Sequence, residues 1–163
     1  MQLDFIKMNG AGNDFIIFDA RKQEISLSPE QIKAISARDN KITNITNIFN
    51  GKEPRLGCDQ LLILRKSDVA DVEMTIYNAD GGEVDACGNA TRCIVSLLEN
   101  ELNTTKITIK TNANLLKGIE KVIHLTKEYI IVDMGKPSFQ WNKIPLAMPI
   151  EEAAKKIETF SGW

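Results

Sequence analysis

One cysteine in this sequence lies where a helix is predicted to begin. Cys87 directly precedes Gly88 and Asn89, which open an apolar helical pattern. The first N–H groups of a helix are unpaired and carry a partial positive charge, and both properties favour a thiolate over a thiol. The same N–H groups can hold a carboxylate, while Gly88 lets a ligand approach the backbone and Asn89 can hydrogen-bond it. The pattern indicates a reactive thiol beside a carboxylate site; the alternative is an unreactive, buried cysteine at a helix start.

The other cysteines and the one histidine do not form a recognised catalytic or metal-binding pattern. Three cysteines are too few for a disulfide framework, and an odd number cannot all be paired. Cys93 lies further along the same helix, on its apolar face, and is predicted to be a core residue. No CxxC or HxxxH spacing occurs, which argues against a metal site, and His124 lies in an alternating stretch typical of strand surface. Proton chemistry near neutral pH is therefore left to thiols or carboxylates.

The segment NGAGNDF at positions 9–15 has only a superficial likeness to a dinucleotide-binding loop. The GxGxxG pattern requires a third glycine where Phe15 stands, and the segment precedes a predicted strand instead of opening a helix. It is predicted to be a tight turn.

Short strands and three helices are predicted to position these residues. The first helix begins at Pro29, with Ser28 as its cap and Gln31 completing a capping box. The second has so wide an apolar face that it should be buried, and the third is amphipathic. Alternation and apolar runs predict strands at 3–7, 14–19, 60–64, 72–77, 106–110, 115–119, 121–126 and 129–134, and the two later helices at 88–99 and 150–160.

The order of these elements indicates an α+β fold and not a doubly wound parallel sheet. Strands joined by tight turns favour a mostly antiparallel, barrel-like sheet wrapped around the central helix at 88–99. That arrangement would hide both the helix and the sheet edges. The polar, asparagine-rich stretch at 41–55 is predicted to be an exposed loop.

The composition is that of a globular domain with no general affinity for nucleic acid or membranes. The chain has 163 residues, of which 43% are hydrophobic and 26% charged, enough to bury a core without a disulfide or a metal. Its 20 Lys and Arg against 22 Asp and Glu give a net charge of −2, which attracts neither nucleic acid nor anionic lipid. No apolar run of about 18 residues occurs and the N-terminus lacks a signal-peptide pattern, so a cytoplasmic location is predicted.

Three motifs, in order, resemble the N-terminal half of the diaminopimelate epimerase family: KMNGAGNDF, GCDQLLIL and YNADGGEVDACGNATRC. The resemblance extends from residue 1 to about Pro137. It implies a diaminopimelate-epimerase-like fold and the interconversion of LL- and meso-diaminopimelate, a small amino-acid substrate, without pyridoxal phosphate or metal. In such enzymes one cysteine thiolate removes the α-proton, and a second thiol returns a proton on the opposite face.

The resemblance also implies roles for six residues, and for no cofactor. Cys87 matches the catalytic cysteine of the N-terminal domain. The residues that match substrate-binding positions of the family are Asn13, Gln60, Asn78, Gly88 and Asn89.

The second catalytic cysteine of the family, which belongs to the second of two similar domains, has no counterpart here. Cys58 precedes a predicted strand, and Cys93 lies in the middle of a helix. We therefore interpret 1–148 as an N-terminal epimerase domain and 149–163 as the start of a crossover helix toward an absent second domain. The partner that completes the site would be a second-domain chain or a second copy in a homodimer, and the chain alone is expected to epimerise poorly.

Two alternatives stay open at this point. Proline-racemase-like and phenazine-pathway isomerases share the architecture, although Asn78 together with the Cys87-Gly88-Asn89 run favours the diaminopimelate branch. The other alternative is a non-catalytic remnant, or a partner subunit of a split epimerase, that binds through the surface its second domain would cover.

Overall fold

A mixed sheet is the framework that positions the candidate residues. The computed structural model describes residues 3–38, 57–104, 106–113, 115–116, 121–124, 127–136 and 139–143. Within these ranges the sheet contains seven strands: β1 (Ile6–Gly10), β2 (Asn13–Asp19), β3 (Gln60–Arg65), β4 (Val72–Asn78), β5 (Glu83–Val84), β6 (Ile109–Lys110) and β7 (Leu115–Leu116). The remaining elements are the hairpin β8 (Lys121–His124) and β9 (Lys127–Ile130), the helices α1 (Pro29–Ser36) and α2 (Gly88–Leu102), and a short 3-10 helix (Trp141–Lys143).

The sheet is largely antiparallel, and the predicted α+β class is confirmed. Its order is β1-β2-β3-β4-β6-β7, with β5 beside β4. Antiparallel pairs join β1 to β2, β3 to β4, β4 to β5 and β6 to β7. The pairs β2/β3 and β4/β6 are parallel. Each parallel pair needs a crossover between its strands, and these two crossovers contain α1 and α2.

The turn between β1 and β2 is shorter than the glycine-rich segment suggests. β1 continues through Gly10, which pairs with Asn13 at the start of β2. Only Ala11 and Gly12 lie between the strands, with positive φ angles of 54° and 91°. Positive φ at both central residues is the requirement of the tight hairpin turn that matches strand twist. The prediction of a strand at 3–7 was therefore wrong in its bounds. Because of its pairing with β2, β1 begins and ends three residues later in the chain.

Both described α-helices begin where the sequence predicts. The capping box of α1 is complete: Gln31 N–H donates to Ser28 Oγ at 3.3 Å, and Ser28 N–H donates to Gln31 Oε1 at 2.8 Å. α2 begins at Gly88 and extends three residues beyond the predicted end, to Leu102, where Asn103 adopts the left-handed conformation typical of a helix C-terminus.

Two apolar layers cover the two faces of the sheet. The layer on one face packs against α2 and includes Phe15, Ile17, Leu62, Leu64, Val72, Met74, Ile76, Ala90, Cys93, Ile94, Val95 and Leu98. The layer on the other face packs against α1 and includes Ile16, Phe18, Ile25, Ile32, Cys58, Leu61 and Ile63. β2 and β3 contribute to both layers, which explains why their sequences are continuous apolar runs.

The remaining predictions concern the later part of the chain. Strands β6 to β9 lie in or overlap the four predicted strands, but β6 and β7 have only two residues each. The two-residue strand β5 was not predicted. The loop predicted at 41–55 and the helix predicted at 150–160 lie outside the described residues. In the ranges that the structure describes, no helix has the length and apolarity needed to span a membrane.

Candidate active site

The three predicted substrate-binding residues of the sheet lie at one end of it. Asn13 opens β2, Gln60 opens β3 and Asn78 closes β4. Because β2 and β3 are parallel and β4 runs antiparallel to β3, these three strand ends coincide. Gln60 pairs directly with Asn78 across the strands. We call this the Asn13 end of the sheet.

The three side chains also belong to the same face. Side chains alternate along a strand, and Phe15, Leu62 and Ile76, each two residues from one of them, lie in the α2 layer. Asn13, Gln60 and Asn78 are therefore expected on the α2 face of the sheet. A hydrogen bond from Gln60 Nε2 to Asn78 Oδ1, 3.1 Å long, joins two of them.

Gln60 has an unused acceptor. Its Oε1 atom is buried and has no hydrogen-bond partner among the residues that the structure describes. Buried acceptors are nearly always satisfied in folded proteins. An unsatisfied one at the Asn13 end of the sheet can accept a hydrogen bond from an N–H or ammonium group of a ligand.

The start of α2 contacts the same end of the sheet. A Cβ atom placed on Gly10 would lie 2.9 Å from Cys93 Sγ and 3.0 Å from the Asn89 carbonyl oxygen. Only glycine allows this approach, since a methyl group would overlap the helix backbone. Gly10 pairs with Asn13, so the β1–β2 turn packs on the first turn of α2 and brings Asn13 to its N-terminal end.

Cys87 is the residue immediately before the first turn of α2. Its backbone is extended, with φ −147° and ψ 110°, and its side chain makes no capping hydrogen bond to the helix. Its carbonyl oxygen instead accepts from the N–H and the hydroxyl of Thr91, each at 2.9 Å. Cys87 is half-buried against the α2 layer, and its thiol is not engaged in capping the helix.

Two residues beside the start of α2 were not identified from the sequence. Met134 Sδ and Arg92 Nη1 lie 3.7 and 3.9 Å from the position that a Gly88 Cβ would occupy. Arg92 also donates a hydrogen bond to Asn89 Oδ1. The contact between Asn89 and Arg92 could have been predicted, because residues three apart on a helix are neighbours. No sequence pattern predicts the contact of Met134 with Gly88.

The other two cysteines are both buried, one in each apolar layer. Cys58 belongs to the α1 layer, and its thiol donates to Ser36 Oγ at 3.5 Å. Cys93 is buried in the α2 layer. Burial raises the pKa of both thiols, so Cys58 and Cys93 are protonated at neutral pH.

The difference in burial between Cys87 and the other two cysteines predicts the order in which the three thiols react. Iodoacetamide at neutral pH is expected to alkylate Cys87 alone in the folded chain and all three cysteines in urea, since only Cys87 is not buried. Peptide mass spectrometry of the labelled chain measures the pattern. Alkylation of Cys58 or Cys93 at the rate of Cys87 would contradict the burial described here.

His124 lies outside the sheet that bears Asn13, Gln60 and Asn78. His124 lies on β8, in the two-stranded sheet. Across the described ranges, no group of three or more His, Cys, Asp or Glu residues could hold a metal ion.

The fold resembles that of a solved protein structure. The chain superimposes on the crystal structure of the Bacillus anthracis phenazine biosynthesis protein, PhzF family, with a TM-score of 0.54 and 22% sequence identity, over 81% of this chain and 40% of that one. This similarity concerns the fold alone.

The family follows from the sequence. The family model described as Diaminopimelate epimerase matches residues 5–140, and the chain belongs to this family. It is 39% identical over 153 residues to the diaminopimelate epimerase of Acidiphilium cryptum, covering 94% of this chain and 49% of that protein. It is 41% identical over 158 residues to that of Zymomonas mobilis, covering 96% and 50%. The chain thus spans about half the length of the curated relatives it matches.

Proposed function

We propose that this chain is the N-terminal, Cys87-bearing half of a diaminopimelate epimerase, which interconverts LL- and meso-diaminopimelate. The observation that carries the proposal is the approach of Gly10 to the first turn of α2, which Cys87 directly precedes, at the sheet end where Asn13, Gln60 and Asn78 lie. Membership of the diaminopimelate epimerase family supports the choice of substrate.

In this proposal Cys87 exchanges a proton with the α-carbon of the substrate. The proton on the carbon next to a carboxylate is very weakly acidic. As it leaves, negative charge builds up on that carboxylate. The first N–H groups of α2, at Gly88 and Asn89, would hold the carboxylate where this charge develops. A thiol can serve as base in one direction and as acid in the other.

The amide side chains would hold the rest of the substrate. Gln60 Oε1 has no partner in the described structure, and an amino group of the substrate is a donor of the kind it needs. Asn13 and Asn78 lie on either side of Gln60 in the sheet and would complete the contact with amide groups that both donate and accept.

Inversion at carbon needs a second acid on the opposite face of the substrate, and we propose that it comes from outside these 163 residues. Cys58 and Cys93 are buried, 2% and 4% exposed, and a substrate cannot reach a buried thiol. In this proposal 1–148 form the first domain and 149–163 begin the crossover to a second domain, supplied by a longer chain, a separate chain or a second copy.

An exposed apolar side chain lies beside the start of α2. Met134 approaches the Gly88 position and is 46% exposed, and in this proposal the second domain covers it. We further propose that the sheet closes, barrel-like, around α2, since Ile130 and Val132 pack against the α2 layer. A cytoplasmic location, and no nucleic-acid or membrane partner, belong to the same proposal.

The test is the stereochemistry of the product. The chain is incubated with LL-diaminopimelate, alone and mixed with the C-terminal half of the Acidiphilium cryptum epimerase, and the isomers are separated by chiral chromatography. We expect little meso product from the chain alone and turnover in the mixture. Substantial meso product from the chain alone would refute the need for a second thiol. Turnover of proline in place of diaminopimelate would indicate instead a proline-racemase-like activity.

A further inference from the structure

Four charged residues meet on the α1 side of the Asn13 end, on the face opposite the candidate site. We call Lys7, Asp14, Arg38 and Asp59 the ion cluster. Asp14 directly follows Asn13, and Asp59 directly precedes Gln60. The cluster therefore involves the residues next to two candidate substrate-binding side chains, although its own side chains belong to the other face.

Arg38 is the centre of the cluster. Its Nη1 and Nη2 atoms donate to Asp14 Oδ2 at 3.0 Å and Oδ1 at 2.6 Å, a two-pronged contact, and Nη2 also donates to Asp59 Oδ1 at 2.7 Å. Two-pronged arginine–carboxylate pairs fix geometry as well as charge. Lys7 Nζ adds a bond to Asp14 Oδ2 at 2.7 Å and another to the Gly57 carbonyl oxygen.

The two carboxylates also hold the backbones of β2 and β3 together. Asp14 N–H donates to Asp59 Oδ2 at 3.0 Å. In return, Asp59 N–H donates to the Asp14 carbonyl oxygen at 3.0 Å and to Asp14 Oδ1 at 2.9 Å. These bonds come immediately before the first parallel pair, Phe15 with Gln60. They fix the position of β3 relative to β2 where both strands begin.

The charge state of Asp14 is suited to this role. The Arg38 guanidinium holds the pKa of the Asp14 carboxyl well below its usual range, against the opposing effect of burial. A carboxyl with a lowered pKa stabilises the fold above its ordinary pKa, and this contribution is lost only as the pH falls through the lowered value. The Asp14 carboxyl is therefore charged at neutral pH.

We propose that Asp14 and Arg38 are positioning residues, which set the placement of Asn13 and Gln60 from the opposite face of the sheet. That these two residues bind substrate rests on the proposed function, but the placement itself does not. Arg38 follows α1, so the cluster also ties the end of that helix to the candidate site. No charge of the cluster needs to touch the substrate for this effect.

The experiment compares Asp14→Asn with Asp19→Asn in the full ¹⁵N-labelled chain. Asp19 is the matched control because it lies at the other end of β2 and is likewise paired with an arginine, Arg21, at 2.7 Å. Both variants should lose thermal stability. We expect only Asp14→Asn to shift and broaden the side-chain NH₂ signals of Gln60 and Asn13. Unchanged signals in Asp14→Asn, or equal shifts in Asp19→Asn, would overturn the proposal.

Arg38→Lys covers the case in which Asp14→Asn does not fold. The Arg38 side chain is 57% exposed, so lysine is tolerated there and keeps the charge but not the two-pronged contact. The same NH₂ signals should shift in this variant, and unshifted signals would count against the proposal. In the reconstituted enzyme, both cluster variants should lower kcat/KM by about 10- to 100-fold, the range expected for misplaced binding groups. If the unmodified mixture is inactive, the proposed function fails while the NMR result stands.

Discussion

Cys87→Ser is expected to lower the epimerisation rate of the reconstituted enzyme by about 10³-fold, within the range that a positioned acid or base contributes. Serine has nearly the same size and the same place before α2, so the fold is expected to remain. Its hydroxyl is a much weaker acid than a thiol, however, and cannot serve as the base at neutral pH. The rate is measured from the conversion of LL- to meso-diaminopimelate, and α-proton exchange is followed by NMR in D₂O.

Cys93→Ala is the control for this experiment. It removes a thiol from the same helix, but one that is buried in the α2 layer, 4% exposed. We expect a loss of stability from the cavity and a turnover within severalfold of the unmodified enzyme once the protein is folded. The role of Cys87 would be disproved if its serine variant kept the rate of the Cys93→Ala control.

The elements that carry their own signals could be predicted from the sequence. Ser28, Pro29 and Gln31 form a capping box from adjacent residues, so α1 begins where the local pattern indicates. Val72, Met74 and Ile76 alternate on one face of β4 and all lie in the α2 layer. In both cases the determining contacts are between neighbours in sequence or follow from a simple period.

The pairing of the strands, near or distant in the chain, could not be predicted. The bounds of β1 depend on pairing with β2, and β5 is a two-residue strand whose sequence has no period to detect. The parallel pair β2/β3 joins segments more than forty residues apart in the chain. Single-sequence patterns carry no information on such partners, because they are chosen by the packing of the whole core.

The candidate site likewise has features that could be predicted from local sequence and features that depend on strand pairing. The start of α2 and the type of residue at Cys87 are local features, and the structure has the helix begin there. The bond between Gln60 and Asn78, and the contact of Gly10 with the first turn of α2, exist only because strands β1 to β4 pair in this order. The ion cluster joins positions 7, 14, 38 and 59 and has no sequence signature, since isolated charges are common on any surface.

The position of Cys87 depends in turn on the burial of α2. Ile94 is 0% exposed in the middle of α2, where it packs in the α2 layer between sheet and helix. Ile94→Ala is expected to reduce the free energy of unfolding by about 3 kcal/mol, through lost apolar burial and the cavity left behind. For a chain of this length that corresponds to a fall in Tm of roughly 10 °C.

Leu102→Ala is the matched control, because it shortens an apolar side chain on the same helix at a position that is 42% exposed. Its expected cost is below about 1 kcal/mol, since most surface substitutions change stability little. Urea unfolding followed by circular dichroism measures both variants. Folded Ile94→Ala should also alkylate faster at Cys93, its neighbour in the same layer, because local opening of α2 becomes more frequent. Equal costs for the two variants would mean that α2 is not held by its buried face, and the placement of Cys87 would then need another cause.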